Sequence, residues 1–414
     1  MTLTGQSTAT SSVVAKRSRR LRVIIILGSL SALAPLSIDA YLPGLPQLTE
    51  SFGTTSAAAQ LSLTGFVIGM SLGQLVIGPL SDTLGRRRPL VVGMAVYGAM
   101  SIVCAVAPNI IALDAVRFLQ GFAGAAGVVI ARAVVRDLFT GPAAARFFAS
   151  LMLVNGLAPI LAPVIGGQLL RWTDWRGIFL ALAAIGIILA VGVGFGLPET
   201  LEPARRRAGG LMITLRTFWR LSHDRVLVGY ALTTAFGFGA LFAYISGSSF
   251  VLQDIYGLSP QAYSAVFAVN SLGIVVCAQV SGRLAHRVGS GRMLRIGLGV
   301  MLVGAATLVP GVLVDVGIIG ILLGPFLIAT SVGLVFPNAM VLALAEHGKD
   351  AGAASAMLGV LQFMVGGLVA PLVGVAGDGT EVPLALVMIG CAVASTVAWT
   401  VLARPRRRVV PAEA

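Results

Sequence analysis

The amino-acid sequence predicts an all-α membrane protein with twelve transmembrane helices in two pseudo-symmetric halves of six. Long apolar runs recur along its 414 residues, positive charges are confined to alternate loops, and one short motif occurs twice. Hydrophobic residues make up 57% of the chain and charged residues only 11%, against about 25% charged residues in soluble domains. So few charges leave too little polar surface for a soluble protein of this length, but they suit a protein whose outer surface faces lipid.

Twelve apolar runs are long enough to span a bilayer. Most contain about 20 residues, which at about 1.5 Å per residue cross about 30 Å of hydrocarbon. The predicted spans are 22–42, 58–79, 89–107, 110–133, 145–169, 177–197, 226–248, 263–282, 293–313, 316–342, 353–375 and 383–403.

The positive charges orient the chain. All but three of its 29 Lys and Arg residues lie in the terminal tails, or in or beside the loops that follow even-numbered spans; the exceptions are Arg117, Arg171 and Arg176. Loops rich in Lys and Arg stay on the cytoplasmic side of a membrane, so we expect both termini in the cytoplasm. Topology and anionic lipid at that face account for the formal net charge of +13, and no nucleic-acid partner is predicted.

A polar central segment divides the chain into two halves that carry the same motif. The stretch GPLSDTLG begins at Gly78 and GRLAHRVG begins at Gly282, and both fit the pattern Gly-x-Leu-small-x-x-x-Gly. A motif repeated in two halves indicates a duplicated six-helix unit, an architecture common among transporters. The predicted organisation is a disordered basic cytoplasmic tail at 1–21, a first half at 22–197, a central cytoplasmic loop at 198–225, a second half at 226–403 and a cytoplasmic tail at 404–414.

The first copy of this motif lies between the second and third spans. Its glycine, acidic and basic residues are Gly78, Asp82, Gly85, Arg86 and Arg87. It resembles the loop signature of the major facilitator superfamily, whose members are transporters with twelve helices in two halves. We expect a cytoplasmic gate that holds the two halves together, in which Asp82 lies near the positive end of the eleventh span, around 352–355, and the arginines pair with Asp137. A simple positively charged loop is the alternative interpretation.

A charged residue is embedded in the fourth span, in the stretch RFLQGFAGAAG. Arg117, with Gln120, Gly121 and Gly124, resembles the fourth-helix signature of the same superfamily. A charge inside a bilayer is costly, so it is usually retained for function. The alternatives are an arginine that reaches the outer interface and one that pairs with Asp114, one turn away.

The fifth span contains the stretch NGLAPILAPVIGG. Its Ala162, Pro163, Gly166 and Gly167 resemble the antiporter signature Gly-Pro-x-x-Gly-Gly, with alanine in place of the first glycine, and Pro159 adds a second break. Prolines and glycines produce a bent helix that packs closely and can rock against its neighbours. In this superfamily the signature is typical of exporters.

Further segments resemble the bicyclomycin- and chloramphenicol-resistance (Bcr/CflA) branch of drug:proton antiporters over nearly the whole chain. They are PLSIDAYLPGLP in the first span, RAVVRDLF at the end of the fourth, WRGIF and PET around the sixth, and YISGSSFVLQDIYGLSPQAYSAVFAVNSLG across the seventh and eighth. The branch usually has Ser-Pro-Phe where this chain has Ser248, Ser249 and Phe250. The resemblance implies a monomeric antiporter of a bacterial inner membrane that exports small amphipathic drugs in exchange for protons, and not an enzyme.

Proton coupling needs a titratable group inside the membrane, and Asp39 and Arg117 are the clearly charged residues within the spans. Asp39 lies about 25 Å along the first helix from Arg22, and Arg117 about 10 Å from the outer end of its span, so we expect both at one level. Burial favours a protonated acid and a nearby guanidinium favours an ionised one. This competition would suit a proton carrier, whereas the alternative is that Asp39 only ends the first helix.

Drug contacts are expected from polar and aromatic residues inside the spans, although such residues also hold helices together. The candidates are Tyr41, Gln120, Asn155, Phe236, Tyr244, Asn270 and Gln362. No cofactor other than the coupling proton and no metal site is predicted, since the three cysteines lie apart in apolar runs and the three histidines in polar loops. The rival hypotheses are a transporter of an endogenous metabolite on the same fold, a membrane-embedded enzyme and a sensor. The last two lack a catalytic cluster at membrane depth and a long soluble domain, respectively.

Overall fold

The computed structural model describes residues 5–139, 141–206, 210–313, 317–345, 347, 350–375 and 379–403, and these residues are almost entirely helical. Twelve long helices are joined by short connections, with two short helices among them. The long helices are α1 Gly5–Asp39, α3 Ser56–Leu84, α4 Arg87–Ala105, α5 Ile110–Leu138, α6 Gly141–Leu169, α7 Trp175–Gly196, α9 Arg225–Phe250, α10 Pro260–Val288, α11 Ser290–Leu313, α12 Gly317–Leu344, α13 Ala351–Val375 and α14 Val382–Ala398; the short ones are α2 Leu45–Phe52 and α8 Gly210–Leu221.

Every predicted span coincides with a long helix, and the ends agree to within about six residues except at the start of α1, which begins at Gly5 and not at residue 22. Within the described residues, 11 helices are long and apolar enough to cross a membrane. The remaining long helix, α6, has 29 residues, and its shorter apolar stretch is Val154–Leu169. The prediction of an all-α membrane fold with twelve transmembrane helices is confirmed.

The structure adds helix in two segments where the sequence analysis predicts none. α1 begins at Gly5, so the predicted disordered tail is helical from that residue onward, because no proline or glycine interrupts 6–27. The central loop contains α8, whose apolar and basic residues recur at helical spacing. α8 packs against both α3 and α13. The predicted tail at 404–414 lies outside the described residues.

The connections between helices define two faces of the molecule. We name the face with the connections at 85–86 and 197–206 the Arg-rich face, and the face with those at 106–109 and 170–174 the Arg-poor face. α3 runs from the Arg-poor face to the Arg-rich face, and α13 runs in the opposite direction beside it.

The two halves meet along the part of the molecule that is nearer the Arg-poor face. Between α3 and α13, Thr64 Oγ1 donates to the carbonyl of Gly367 at 2.8 Å, and Ser71 Oγ lies 3.5 Å from the carbonyl oxygen of Val360. α6 and α10 form the second such pair of helices. Since α3 begins at Ser56, Thr64 and Ser71 lie about 12 and 22 Å below its Arg-poor end. The halves are therefore in contact from that end to beyond the middle of the bilayer.

The internal repeat has a backbone counterpart. α3 is followed directly by Gly85 with φ +91°, and α10 is followed directly by Gly289 with φ +88°. The two glycines are separated by the same number of residues as Gly78 and Gly282, which begin the repeated motif. A positive φ is strained for residues with a Cβ atom, so each half ends its second long helix with the same glycine-dependent turn.

Candidate functional site

The embedded arginine of α5, Arg117, is fully buried within the first half. Its Nη1 donates to Oε1 of Gln120 at 2.6 Å, and its Nη2 donates to the carbonyl oxygen of Ser37 on α1 at 3.1 Å. Gln120 in turn donates to Ser101 Oγ on α4 at 2.7 Å. The guanidinium and its amide partner therefore join three helices at one level.

Three aromatic rings surround the Arg117 guanidinium. Its Cζ lies 4.3 Å from the ring centre of Phe66, 4.8 Å from that of Tyr41 and 5.5 Å from that of Phe179. Cation–π attraction acts over these distances and strengthens when the cation is removed from water. Among the described residues no ion pair joins Arg117 to Asp114. Neutral acceptors and aromatic faces thus replace water around this charge, and the arginine lies inside the first half, not at an interface with lipid headgroups.

Glycine permits the close helix contact at this level. A Cβ atom on Gly121 would overlap the backbone of Phe66, so α3 and α5 could not approach as they do with a larger residue there. A Cβ atom on Gly124 would press against the ring of Tyr97 at 3.3 Å. The hydroxyl of Tyr97 lies 2.6 Å from Ser37 Oγ. The packing around Arg117 is therefore fixed by backbone contact as well as by its own bonds.

The predicted proton carrier, Asp39, is the last residue of α1 and is buried. Its Oδ1 has no hydrogen-bond partner among the described residues. Asp39 lies at the level of Arg117, which bonds to Ser37, but no ion pair joins the two residues in the described structure. The expected competition between burial and Arg117 at Asp39 stays a prediction. The chain just beyond Asp39 reaches the second half, because the carbonyl of Leu42, three residues later, accepts a hydrogen bond from Ser249 of α9.

Four of the predicted drug contacts form two separate pairs. Tyr41 and Gln120 belong to the Arg117 site of the first half. Tyr244 and Asn270 are buried together in the second half, where Nδ2 of Asn270 donates to the hydroxyl of Tyr244. The ring of Tyr244 stacks on that of Phe267 at 5.6 Å. The second half therefore contains a polar and aromatic pair of its own.

The other three predicted drug contacts are half-buried: Asn155 on α6, Phe236 on α9 and Gln362 on α13. Asn155 donates to the carbonyl of Leu151 in its own helix at 2.9 Å. In the described part of the chain, no hydrogen bond joins any of the three to either buried pair. The sequence grouped seven residues, and the structure brings together two pairs of them.

The proline and glycine residues of α6 form its contact with the second half. Pro163 has no amide hydrogen, so the carbonyl of Pro159 lacks its helical donor, and Ser271 Oγ of α10 lies 3.4 Å from that oxygen. Ser264 Oγ donates to the carbonyl of Pro163 at 2.8 Å. A Cβ atom on Gly167 would collide with the Ser264 hydroxyl, so the small residue allows this close approach.

One further glycine of the same motif faces the end of α1. A Cβ atom on Gly166 would overlap the backbone carbonyl of Ala40, which directly follows Asp39. Ala162 is fully buried. Gly166 and Gly167 therefore lie between the helix end that carries Asp39 and the start of α10, where Tyr263 and Ser264 are found.

The predicted cytoplasmic gate is a compact cluster around Arg86 at the Arg-rich face. Arg86 Nη1 donates to Asp82 Oδ1 at 2.5 Å and to Ser81 Oγ at 2.8 Å, while its Nε donates to Asp137 Oδ2 at 3.0 Å. Arg87 donates to the carbonyl of Gly194.

The pairing with Asp137 is present, but all of these partners belong to the first half. The expected latch between the halves is thus not formed here, since Asp82 turns its carboxylate to Arg86 and the halves meet near the opposite face. Gly78, which begins the motif, packs against Val129.

Sequence analysis missed Glu199, which follows α7 and completes this cluster. Its carboxylate accepts from the backbone N–H groups of Arg86 at 2.9 Å and Arg87 at 3.2 Å, at the start of α4. It also accepts from its neighbours Thr200 and Leu201. Burial acts to raise the pKa of Glu199, but these four backbone bonds outweigh it and hold the pKa below its ordinary value. The carboxylate fits only because residue 85 is glycine, since a Cβ atom at that position would collide with it.

The comparison with protein families decides what kind of protein contains this site. The model described as Major Facilitator Superfamily matches residues 27–371. The chain belongs to this superfamily. It is therefore a membrane transporter and not an enzyme, as the sequence predicts.

Relatives of this major facilitator transporter include proteins named for drug resistance. It is 38% identical over 389 residues to an uncharacterized MFS-type transporter of Bacillus subtilis, covering 94% of this chain and 96% of that protein. It is 32% identical to a bicyclomycin resistance protein homolog of Haemophilus influenzae, covering 91% and 94% of the two chains. A chloramphenicol resistance protein of Pseudomonas aeruginosa is 30% identical and is covered over 67% of its length, against 69% of this chain. The resemblance to the Bcr/CflA branch is confirmed.

Solved structures of transporters share the fold. The crystal structure of a mutant of the nucleoside transporter NupG superposes with a TM-score of 0.74, covering 92% of this chain and 99% of that one, at 13% sequence identity. At so low an identity the likeness concerns the fold alone. It agrees with the arrangement of twelve helices in two halves.

Proposed function

We propose that this transporter exports small amphipathic drugs, such as chloramphenicol- or bicyclomycin-like compounds, from the cytoplasm in exchange for protons. The names of its relatives in Haemophilus and Pseudomonas support drugs as the substrates. The antiporter-like motif of α6, which packs on the second half through Pro163 and Gly167, supports an exchange mechanism. The proposal includes a bacterial inner membrane, a monomer, cytoplasmic termini and the Arg-rich face as the cytoplasmic face.

The observation that carries the proposal is the buried carboxyl group of Asp39, which has an oxygen without a hydrogen-bond partner among the described residues. An ionised carboxylate is costly in such a place unless donors surround it, and protonation removes that cost. The group is located at the boundary between halves, beside the glycine pair of α6. The charge of Asp39 therefore acts on the contact between the two halves, which has to change when the transporter opens to the other side of the membrane.

Arg117 has a different role in this mechanism. Its guanidinium stays charged and bonds to the carbonyl of Ser37, half a turn before Asp39. Arg117 therefore holds the end of α1 against α5. Asp39 keeps the same position within the first half whether its carboxyl group is protonated or ionised. Proton binding then changes the contact between halves and not the packing within the first half.

Transport follows as a switch between two arrangements of the halves. The contacts of α3 with α13 and of α6 with α10 close the Arg-poor side, so substrate enters this arrangement from the Arg-rich side. Drug and proton bind preferentially to different arrangements, which couples their movements in opposite directions. The Tyr244 and Asn270 pair, with Phe267 beside it, offers the polar and aromatic surface that amphipathic drugs require.

A panel of antibiotic susceptibilities tests the proposal in a bacterial host that lacks its own efflux pumps. Expression of the protein is expected to raise resistance to chloramphenicol or bicyclomycin, and collapse of the proton gradient is expected to restore drug accumulation. An unchanged panel and unchanged drug accumulation, with normal amounts of protein in the membrane, would contradict drug export. Drug accumulation that stays low after collapse of the gradient would contradict proton coupling alone.

A further inference from the structure

Two polar side chains of the second half donate hydrogen bonds to the turn that follows α1. Ser249 Oγ, fully buried, donates to the carbonyl oxygen of Leu42 at 2.6 Å. Gln253 Nε2 donates to Ser249 Oγ at 2.7 Å and to the carbonyl of Pro43 at 3.3 Å. Together these groups form a chain of three hydrogen bonds, two of which cross from one half of the transporter to the other.

The local sequence leaves the carbonyl of Leu42 open to a donor from outside the turn. Leu42–Gly44 is a 3₁₀ turn between α1 and α2. Pro46 has no amide hydrogen, so it cannot supply the helical bond to the carbonyl of Leu42 four residues earlier. The Leu45 N–H bonds to that oxygen instead, and a carbonyl can accept a second bond, which Ser249 provides. The side chains of the second half supply donors at this place.

The donor side is equally well defined by the backbone. Ser249 and Gln253 are four residues apart, and Val251–Ile255 forms a π-helical turn that continues α9. π-helical turns are rare and occur frequently at functional sites. Gln253 and Pro43 also line a cleft of about 570 Å³ at the Arg-poor face. The bonds therefore lie between the closed interior of the transporter and the solvent at that face.

We propose that Ser249 and Gln253 are a positioning pair, the clasp, which holds the turn after Asp39 against the second half whenever the Arg-poor side is closed. Opening of that side requires the clasp to release. The clasp acts on closure of the Arg-poor side itself, whatever substrate or ion the protein moves.

Spin-label distances across the Arg-poor face test the clasp in the purified full-length protein. Labels replace Val106, at the end of α4, and Ile319, near the start of α12, in a background without the native cysteines; both side chains are exposed. Ser249→Ala is expected to increase the population of the open state relative to the closed state about fivefold, as for the loss of one neutral hydrogen bond. Ser246→Ala is the matched control, because among the described residues that hydroxyl bonds only within α9, to the carbonyl of Ala243. An unchanged distance distribution in Ser249→Ala would overturn the proposal.

A second variant separates the clasp from a general packing role. Gln253→Glu keeps the size of the side chain, but only its protonated form can donate to Pro43 or Ser249. Compared with the wild type at the same pH, this variant is expected to populate the open state increasingly as pH rises through the titration of the glutamate. A pH-independent distribution equal to that of the wild type would contradict the clasp, while an effect equal at all pH values would indicate packing alone. Neither readout involves drug or proton transport, so the proposed function can fail independently.

Discussion

Nη2 of Arg117 on α5 donates to the backbone carbonyl of Ser37 on α1 at 3.1 Å. The bond links a permanently charged group to the helix turn that precedes Asp39. It crosses no boundary between halves, because both helices belong to the first half. Arg117 and Asp39 therefore have separate tasks, one within the first half and one at its contact with the second.

Replacement of Arg117 by lysine tests the first task. A lysine ammonium cannot bond to Gln120 and Ser37 in the planar arrangement of a guanidinium, so we expect drug transport to fall about tenfold or more, which corresponds to about 1.4 kcal/mol. Arg176→Lys is the control, since Arg176 also lies against an aromatic ring, that of Trp175 at 4.3 Å, but on the exposed Arg-poor face. Initial rates in proteoliposomes measure both, and equal rates for the two variants would contradict the role of Arg117.

The two glycines of the α6 motif are expected to respond differently to alanine. A Cβ atom on Gly166 would overlap the backbone carbonyl of Ala40, which cannot move without α1, whereas one on Gly167 meets first the Ser264 hydroxyl, which can rotate. Overpacking against backbone costs about 1–3 kcal/mol. Thermal unfolding in detergent should therefore show a larger drop in Tm for Gly166→Ala than for Gly167→Ala. The reverse order would show that Gly166 does not set the packing of α1.

The repeated glycines provide a matched pair at the ends of α3 and α10. Both have positive φ, but a Cβ atom on Gly85 would also collide with Glu199, while one on Gly289 has nothing within 4 Å. Backbone strain costs about 1–3 kcal/mol at either position. Gly85→Ala should consequently lower the unfolding temperature further than Gly289→Ala does. If the two variants unfold at the same temperature, the contact of Gly85 with Glu199 adds nothing.

Glu199→Gln tests the carboxylate at the start of α4. The pKa of Glu199 is lowered in the folded protein by its four backbone donors, so its contribution to stability is complete above the unfolded pKa of about 4.3 and is lost as pH falls through the lower folded value. At pH 7 the variant should be less stable by about 1 kcal/mol, a small figure because the site is largely exposed. This deficit should shrink in acid, where the wild-type glutamate is itself protonated. A deficit that is constant with pH would exclude an electrostatic origin.

Much of the fold could be predicted because every span has to be apolar and long enough to cross the bilayer. Apolar length gave twelve helices, and the repeat around Gly78 and Gly282 gave two halves. The sequence could not predict α8, because a short amphipathic helix in a polar loop has no such length requirement. It also missed Glu199, although PET was noted, because its role depends on backbone amides that come together only in the fold.

The site was predictable by residue type but not by orientation. Rare charges in apolar runs pointed to Asp39 and Arg117, and their depth followed from helix length. Sequence spacing alone did not show that Arg117 would bond to the carbonyl of Ser37 and, among the described residues, form no ion pair with Asp39, since that depends on how α1 packs against α5. The motif predicted the cluster around Arg86. Whether that cluster joins the two halves depends on which side of the molecule is closed.

Proton and drug fluxes measured together in proteoliposomes with wild-type protein and Asp39→Asn give the most direct test of proton-driven export. With an imposed proton gradient, the wild type is expected to concentrate drug on the side with more protons. Protons are expected to move in the opposite direction in step with the drug. Asp39→Asn, whose amide cannot carry the proton, should still exchange labelled drug across the membrane at equilibrium but should not concentrate it. Full drug accumulation by Asp39→Asn at normal protein levels would contradict the central role of Asp39.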